Sequence, residues 1–134
     1  MPIQLAIVTP SAEALAIGCD EVVAPGVNGE IGLLAGHVPL ITALKSGVLT
    51  VVEGSKKRFF AVAPGFAEIE GDTVTILTDA CEAAEDVDVE RAKRALLDAE
   101  AKLGDLGSED PGHHAAVRRL ERARARIDAV ARRS

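Results

Sequence analysis

Aromatic side chains are nearly missing from this chain of 134 residues: three Phe, no Tyr and no Trp. Recognition of single-stranded nucleic acid relies on aromatic platforms for base stacking, so that function is disfavoured. An aromatic-lined sugar or cation pocket is disfavoured for the same reason. The net charge of −6 argues against a generic phosphate-backbone binder. No apolar run approaches the ~18 residues that a membrane span needs. The opening Met1-Pro2-Ile3-Gln4 has neither the charged region nor the cleavage site of a signal peptide. Only two cysteines occur, Cys19 and Cys81, far apart and in no metal-binding spacing, so reduced thiols at apolar positions are expected.

What is present changes character along the chain. Residues 1–80 carry four basic and nine acidic residues, residues 81–110 four and ten, and residues 111–134 seven arginines and two acids. The first stretch reads as short strands between turns. Ile3, Leu5 and Ile7 alternate with Gln4 and Ala6; Val22-Val23-Ala24 stops at Pro25-Gly26; Val48–Val52 lies between Gly47 and Gly54. Arg58–Ala63 stops at Pro64-Gly65, and Phe66–Glu70 turns at Gly71-Asp72 into Thr73–Thr78. β-branched residues dominate and turn signals recur every 8–12 residues, which predicts a sandwich or barrel. Gly71-Asp72 between two alternating runs predicts a hairpin.

Beyond Asp86 the chain turns to Ala, Leu, Glu, Lys and Arg, which favour helix. Asp86 or Asp88 is placed to cap the start. Ala92, Leu96, Ala99 and Leu103 share one helical face, and Leu103-Gly104 is the expected end. After a loop to Gly112, Ala116, Leu120, Ala123, Ile127 and Val130 follow at 4-3-4-3 spacing. That is a narrow seam, so the two helices are expected to form an antiparallel hairpin. The expected architecture is thus an N-terminal antiparallel β-sandwich, residues 1–84, followed by a C-terminal two-helix hairpin, residues 85–134. An alanine seam buries little area, at ~25 cal/mol per Å², so the hairpin should be weakly held and able to detach.

Catalytic constellations are sparse. The three histidines are His37, His113 and His114, and the last two are adjacent. A helix points adjacent side chains about 100° apart rather than at one metal. No H-x-x-x-H, H-E-x-x-H, C-x-x-C or G-x-S-x-G occurs. The glycines of P-G-V-N-G-E-I-G lack the lysine of a phosphate loop. An enzyme active site is therefore not expected.

The densest motif runs from Gly26 to Leu40. Asn28-Gly29 and Gly36 have the chemistry of turns. Glu30-Ile31-Gly32-Leu33-Leu34 carries more apolar side chains than one inward face of a sandwich consumes, which points to a partner surface.

At this stretch, G-V-N-G-E-I-G-L-L-A-G-H-V-P-L-I-T-A-L-K-S-G, the chain resembles the epsilon subunit of rotary F-type ATP synthase, called delta in mitochondria. The resemblance extends to Leu5–Pro10, Ala61–Ile69, Val74–Leu77 and the helical tail; Pro64 departs from the small residue usual in the family. It implies a non-catalytic central-stalk subunit on the cytoplasmic face of the cell inner membrane. The sandwich would clamp the foot of the gamma subunit and rest on the c-ring. Glu30, Ile31, Gly32 and His37 would lie on the loop that faces those partners. The hairpin would be mobile: folded, it packs on the sandwich; extended, it reaches the alpha and beta subunits of the catalytic head and blocks hydrolysis.

Val87-Asp88-Val89-Glu90-Arg91-Ala92 resembles the family's I/L-D-x-x-R-A element, which binds regulatory ATP in some bacterial members. By position, Asp88, Arg91, Ala92, Arg122 and Arg126 are the candidate ATP contacts, whereas Asp98 stands near where those members carry another arginine. The resemblance implies no required cofactor, only this regulatory nucleotide. Read without it, Asp88 is a helix cap paired with Arg91, and the arginine helix is a solvated face set against the acidic first helix. The rival function is a stand-alone β-sandwich ligand sensor with a nucleotide-responsive helical lid.

Overall fold

The computed structural model describes residues 2–133, with the side chains of Ala14 and His37 outside the described set. Ten strands precede the helices: β1 (Ile3–Val8), β2 (Glu13–Cys19), β3 (Glu21–Gly26), β4 (Gly29–Leu34), β5 (His37–Leu44), β6 (Gly47–Glu53), β7 (Lys56–Val62), β8 (Gly65–Gly71), β9 (Thr73–Thr78) and β10 (Cys81–Ala83). A 3₁₀ turn, Ala84–Asp86, leads to α1 (Val89–Asp105) and α2 (His113–Arg133).

The strands follow one path, β10-β7-β6-β3-β5-β8-β9-β1-β2, with β4 beside β3. Between β3 and β5 that path rests on one register pair, Gly26 opposite Leu44. There the sheet folds over itself into two layers, β10-β7-β6-β3-β4 and β5-β8-β9-β1-β2. Alternation selects the inward set: Ile3, Leu5 and Ile7 of β1, Ala67 and Ile69 of β8, Val74 and Ile76 of β9 are buried against Leu33, Leu49, Val51, Phe60 and Val62 of the other layer. Cys19 joins this core, whereas Cys81 is half-buried.

The sandwich is not wholly antiparallel. β1 pairs with β9 in parallel, Leu5 opposite Val74 and Ile7 opposite Ile76. These two strands lie far apart in sequence, so no hairpin constrains their direction. β2, β4 and β5 also form where the residue pattern signals no strand.

At Gly65 two backbones touch. A Cβ there would run into the Leu77 carbonyl of β9, and Gly65 is paired with Thr78. Thr78 pins the same corner: its buried hydroxyl donates to the Ala63 carbonyl at 2.8 Å. Gly65→Ala is therefore expected to destabilise the sandwich by about 1–3 kcal/mol. A lowered urea midpoint at unchanged slope would show it; an unchanged midpoint would mean that β8 and β9 can separate without loss.

Asp88 is the cap of α1, its Oδ1 accepting the Arg91 backbone N–H at 3.1 Å. Each helix is amphipathic, but the buried residues are alanines: Ala92 and Ala99 on α1, Ala116 and Ala123 on α2. The expected seam is corrected in one respect. α2 buries a second face, Ala125 and Ala129, against Val48, Ala61 and Ala84, with Phe59 alongside. α2 thus lies on the outer face of β6 and β7, while α1 rests chiefly on α2. This explains why Val48, Leu49, Thr50 and Val51 are all buried: Leu49 and Val51 face the core, Val48 and Thr50 the opposite way, towards the helix.

Candidate functional site

Three features stand out above the scaffold. One is a cleft of about 330 Å³ between the helices. Its walls carry Arg91 and Lys102 from α1 and Arg119, Arg122 and Arg126 from α2, with Asp98 the one acid among its lining residues. The periodicity of α1 puts Arg91, Ala95, Asp98 and Lys102 on one face, and that of α2 aligns Arg119, Arg122 and Arg126. Five cations around one carboxylate in a partly enclosed cleft suit a multiply charged anion, since fixed guanidinium groups bind phosphate oxygens through charge-assisted, often bidentate hydrogen bonds.

Of the residues proposed from sequence, the cleft unites Arg91, Arg122 and Arg126. Asp88 and Ala92 are not among its lining residues: Asp88 caps the helix and Ala92 is buried in the seam. Lys102 and Arg119 were missed. Their signal is the i, i+4 spacing from Asp98 and the i, i+3 spacing to Arg122, which gains meaning only once the two helices are aligned. Arg126 has a second engagement, its Nε lying 2.8 Å from Glu82 Oε1 of β10. The approach is ionic rather than a well-aligned hydrogen bond.

The expected pairing of α2 with acids of α1 is not what holds the arginines. Among the described residues, the α2 ion pairs run to the sandwich: Arg126 to Glu82, and Arg132 Nη1 to Glu30 Oε2 at 3.0 Å. The i,i+3 pair expected between Asp88 and Arg91 is the backbone cap instead.

A second feature is the β3–β4 hairpin. Glu30 and Gly32 are exposed, as a partner surface requires, whereas Ile31 is half-buried against the core and Leu33 lies fully within it. Some of the apolar surplus of this motif is thus core, while Val27, Leu34 and Val38 are exposed. His37 opens β5 opposite Gly71, with its side chain outside the described residues.

The third feature was not foreseen. On the outer face of β5-β8-β9-β1, opposite registers place Ala43 beside Phe66, Phe66 beside Leu77, and Leu77 beside Val8. Phe66 is 54% exposed, Leu77 46% and Ile41 68%. Phe66 and Leu77, with Val8, Pro10, Ala43 and Pro64, line an open depression of about 630 Å³, and Ile41 lies outside it. An apolar row across four strands, with no helix among the described residues over it, has the character of a protein-docking surface.

Among the described residues no helix is long and apolar enough to cross a membrane, and no group of metal-ligating side chains comes together.

Comparison with known proteins agrees with this geometry over nearly the whole chain. The family model for the β-sandwich domain of the ATP synthase delta/epsilon chain matches residues 2–84, and that for its long α-helix domain matches residues 85–131. The ATP synthase epsilon chain of Anaeromyxobacter dehalogenans (strain 2CP-C) is 42% identical over 98% of this chain and 100% of its own length. That of Desulforamulus reducens is 44% identical over 95% and 96%. A chain of the Euglena gracilis mitochondrial ATP synthase OSCP/F1/c-ring structure superposes with a TM-score of 0.83 at 27% identity, covering 96% of this chain and 81% of that one. The chain belongs to the ATP synthase delta/epsilon chain family and is a non-catalytic subunit of that complex.

Proposed function

We propose that the chain turns with the central stalk of the synthase, peripheral to the cytoplasmic face of the membrane. Its sandwich holds the gamma subunit and the c-ring, and its hairpin restrains ATP hydrolysis in the catalytic head of alpha and beta subunits. The observation that carries this reading is the division of labour between the two outer faces of the sandwich. One, over β6 and β7, is occupied by α2. The other, over β5, β8, β9 and β1, carries the apolar row and, among the described residues, no helix. Gamma takes that free face, and the β3–β4 hairpin with Glu30 and Gly32 meets the ring. α2 contributes only alanines, Ala125 and Ala129, to its seat and no residue to the main core, so the hairpin can leave without dismantling that core. Mixing the protein with a matching gamma subunit tests the docking: a stable complex in gel filtration is expected, and two separate peaks would refute it.

The inter-helix cleft supports regulatory ATP as its ligand. Triphosphate oxygens would lie between Arg91, Lys102, Arg119 and Arg122, and occupancy would hold α1 and α2 together, favouring the folded hairpin. Calorimetry with ATP tests this. Arg122→Ala, at an exposed position, is expected to weaken binding about tenfold while the melting temperature stays within a degree or two. Arg122 is the better probe than Arg126, because removing Arg126 also strands Glu82. Equal affinities for both proteins would remove ATP from the cleft. The stand-alone sensor reading gives way to membership of the family, and ligand binding by the hairpin becomes a property of the stalk subunit.

A further inference from the structure

Two ion pairs supplement the alanine seat of α2, and they differ in kind. Arg126–Glu82, in the third quarter of the helix, is largely shielded, with side-chain exposures of 26% and 35%. Arg132–Glu30, in the last turn, is open to solvent at 43% and 52%. The second pair spans 102 residues of sequence and ties the last turn of α2 to the β3–β4 hairpin. Among the described residues, Ala129 is the last buried residue of α2, three positions before Arg132. Small side chains remove little apolar surface from water, which makes ionic contacts a large share of what docks this helix.

We propose that Arg132–Glu30 is the release catch of the hairpin, the contact that opens first and whose loss lets α2 lift from the sandwich. Its exposure makes it sensitive to salt and to competition by any cationic group presented to Glu30. Glu30 then has two alternative occupants, Arg132 of its own chain and a basic side chain on a partner surface. By linkage, a partner that takes Glu30 loosens the helix tip by the same factor that docking of the tip weakens the partner. The inference rests on the reading that the hairpin leaves the sandwich.

A native reporter lies beneath the helix. Cys81 of β10 shares a cavity of about 200 Å³ with Glu82, Arg122, Ala125 and Arg126. Burial pushes its thiol up to about 11, so alkylation at about pH 8 is slow while α2 is seated. Cys19, buried in the core, reacts only when the sandwich unfolds. The experiment follows N-ethylmaleimide labelling of each cysteine in the full chain by peptide mass spectrometry. Arg126 and Glu82 adjoin Cys81 and are left intact. Arg132→Gln and Glu30→Gln are each expected to speed Cys81 labelling about two- to fivefold. Raising salt from about 0.05 to 0.5 M should do the same to the wild type and much less to either variant. The reversed pair, Glu30→Arg with Arg132→Glu, should bring the rate back towards the wild type. Single-variant rates equal to the wild type, or a reversed pair as fast as the singles, would overturn the catch. If Cys81 reacts only in step with Cys19 in the wild type, the mobile hairpin itself is refuted, which is a different failure.

Discussion

Phe66→Lys is expected to abolish stable association with the gamma subunit while leaving the sandwich as stable as before. Phe66 stands in the middle of the outer row, flanked across strands by Ala43 and Leu77, and more than half its side chain is in water. Exchanging an exposed side chain away from caps and networks typically changes stability by no more than about 0.5 kcal/mol. The new ammonium would share its face with Glu68 of the same strand, which helps the free protein. In the complex the same charge would be forced into a desolvated apolar contact. Central aromatic anchors of protein interfaces carry about 2 kcal/mol or more, which is about 30-fold in Kd. Surface plasmon resonance against gamma, with urea unfolding as the control, reads both quantities. Binding within about threefold of the wild type would place the gamma contact elsewhere, the β3–β4 hairpin being the next surface to alter in the same way. Leu77→Lys should act in the same direction with a smaller effect, because leucine anchors are weaker than aromatic ones.

That row was legible in the sequence, though only against the right background. Within Phe66–Glu70 the even positions are Phe66, Glu68 and Glu70, so Phe66 is an apolar residue on a polar face. Leu77 likewise follows Thr73 and Thr75 on the outward face of β9. Each looks like scatter alone, and only the β8–β9 register puts them side by side. The helix seat was hidden for another reason. Ala125 and Ala129 look like ordinary helix formers, because a small side chain gives almost no hydrophobic signal. The signal lay in the partner strands. Val48–Val51 and Phe59–Val62 are continuous rather than alternating, the pattern of strands covered on both faces. β4 and β5 escaped because Gly29–Leu34 holds a single β-branched residue, Ile31, and because Pro39 interrupts His37–Leu44. The alternating strands, the Gly71 hairpin and the Asp88 cap depend on local chemistry, and they were readable without tertiary context. The basic cleft is intermediate: three of its arginines follow from resemblance to a motif, while Lys102 and Arg119 need the register of one helix against the other.

The charge distribution connects these surfaces. Seven arginines after residue 110 looked like a counterpart to the ten acids of residues 81–110. In the fold, Arg126 and Arg132 instead pair with two acids of the sandwich, and Arg119 and Arg122 join Arg126 in lining the inter-helix cleft. Seated, the helix meets Glu82 and Glu30; under the proposed function it would exchange them for an anion in the cleft or for acidic surfaces of the head. Arg122 borders both the cleft and the cavity over Cys81, so a ligand there bears on the helix that would have to move. Under that proposal, regulation by population shift would need no new fold, since each partner would favour the position in which it makes its contacts.

Removing residues 88–134 makes the strongest test of that regulation. The truncated chain keeps the entire main core, which contains no helix residue. It loses Ala125 and Ala129 from the smaller cluster, exposing Val48, Ala61, Ala84 and Phe59. A modest loss of stability and an intact melting transition are expected, together with unchanged binding to gamma, because the apolar row lies on the other layer. ATP hydrolysis by the assembled synthase should rise about fivefold or more, the scale of a typical coupling between sites. Arg122→Ala in the full-length chain then separates the two roles of the hairpin. If ATP in the cleft holds the helices folded, this variant should hydrolyse more slowly than the wild type at millimolar ATP, the opposite sign to the deletion. A rise with both changes would make Arg122 a contact of the extended, inhibiting helix. No rise on deletion would leave the hairpin without an inhibitory role.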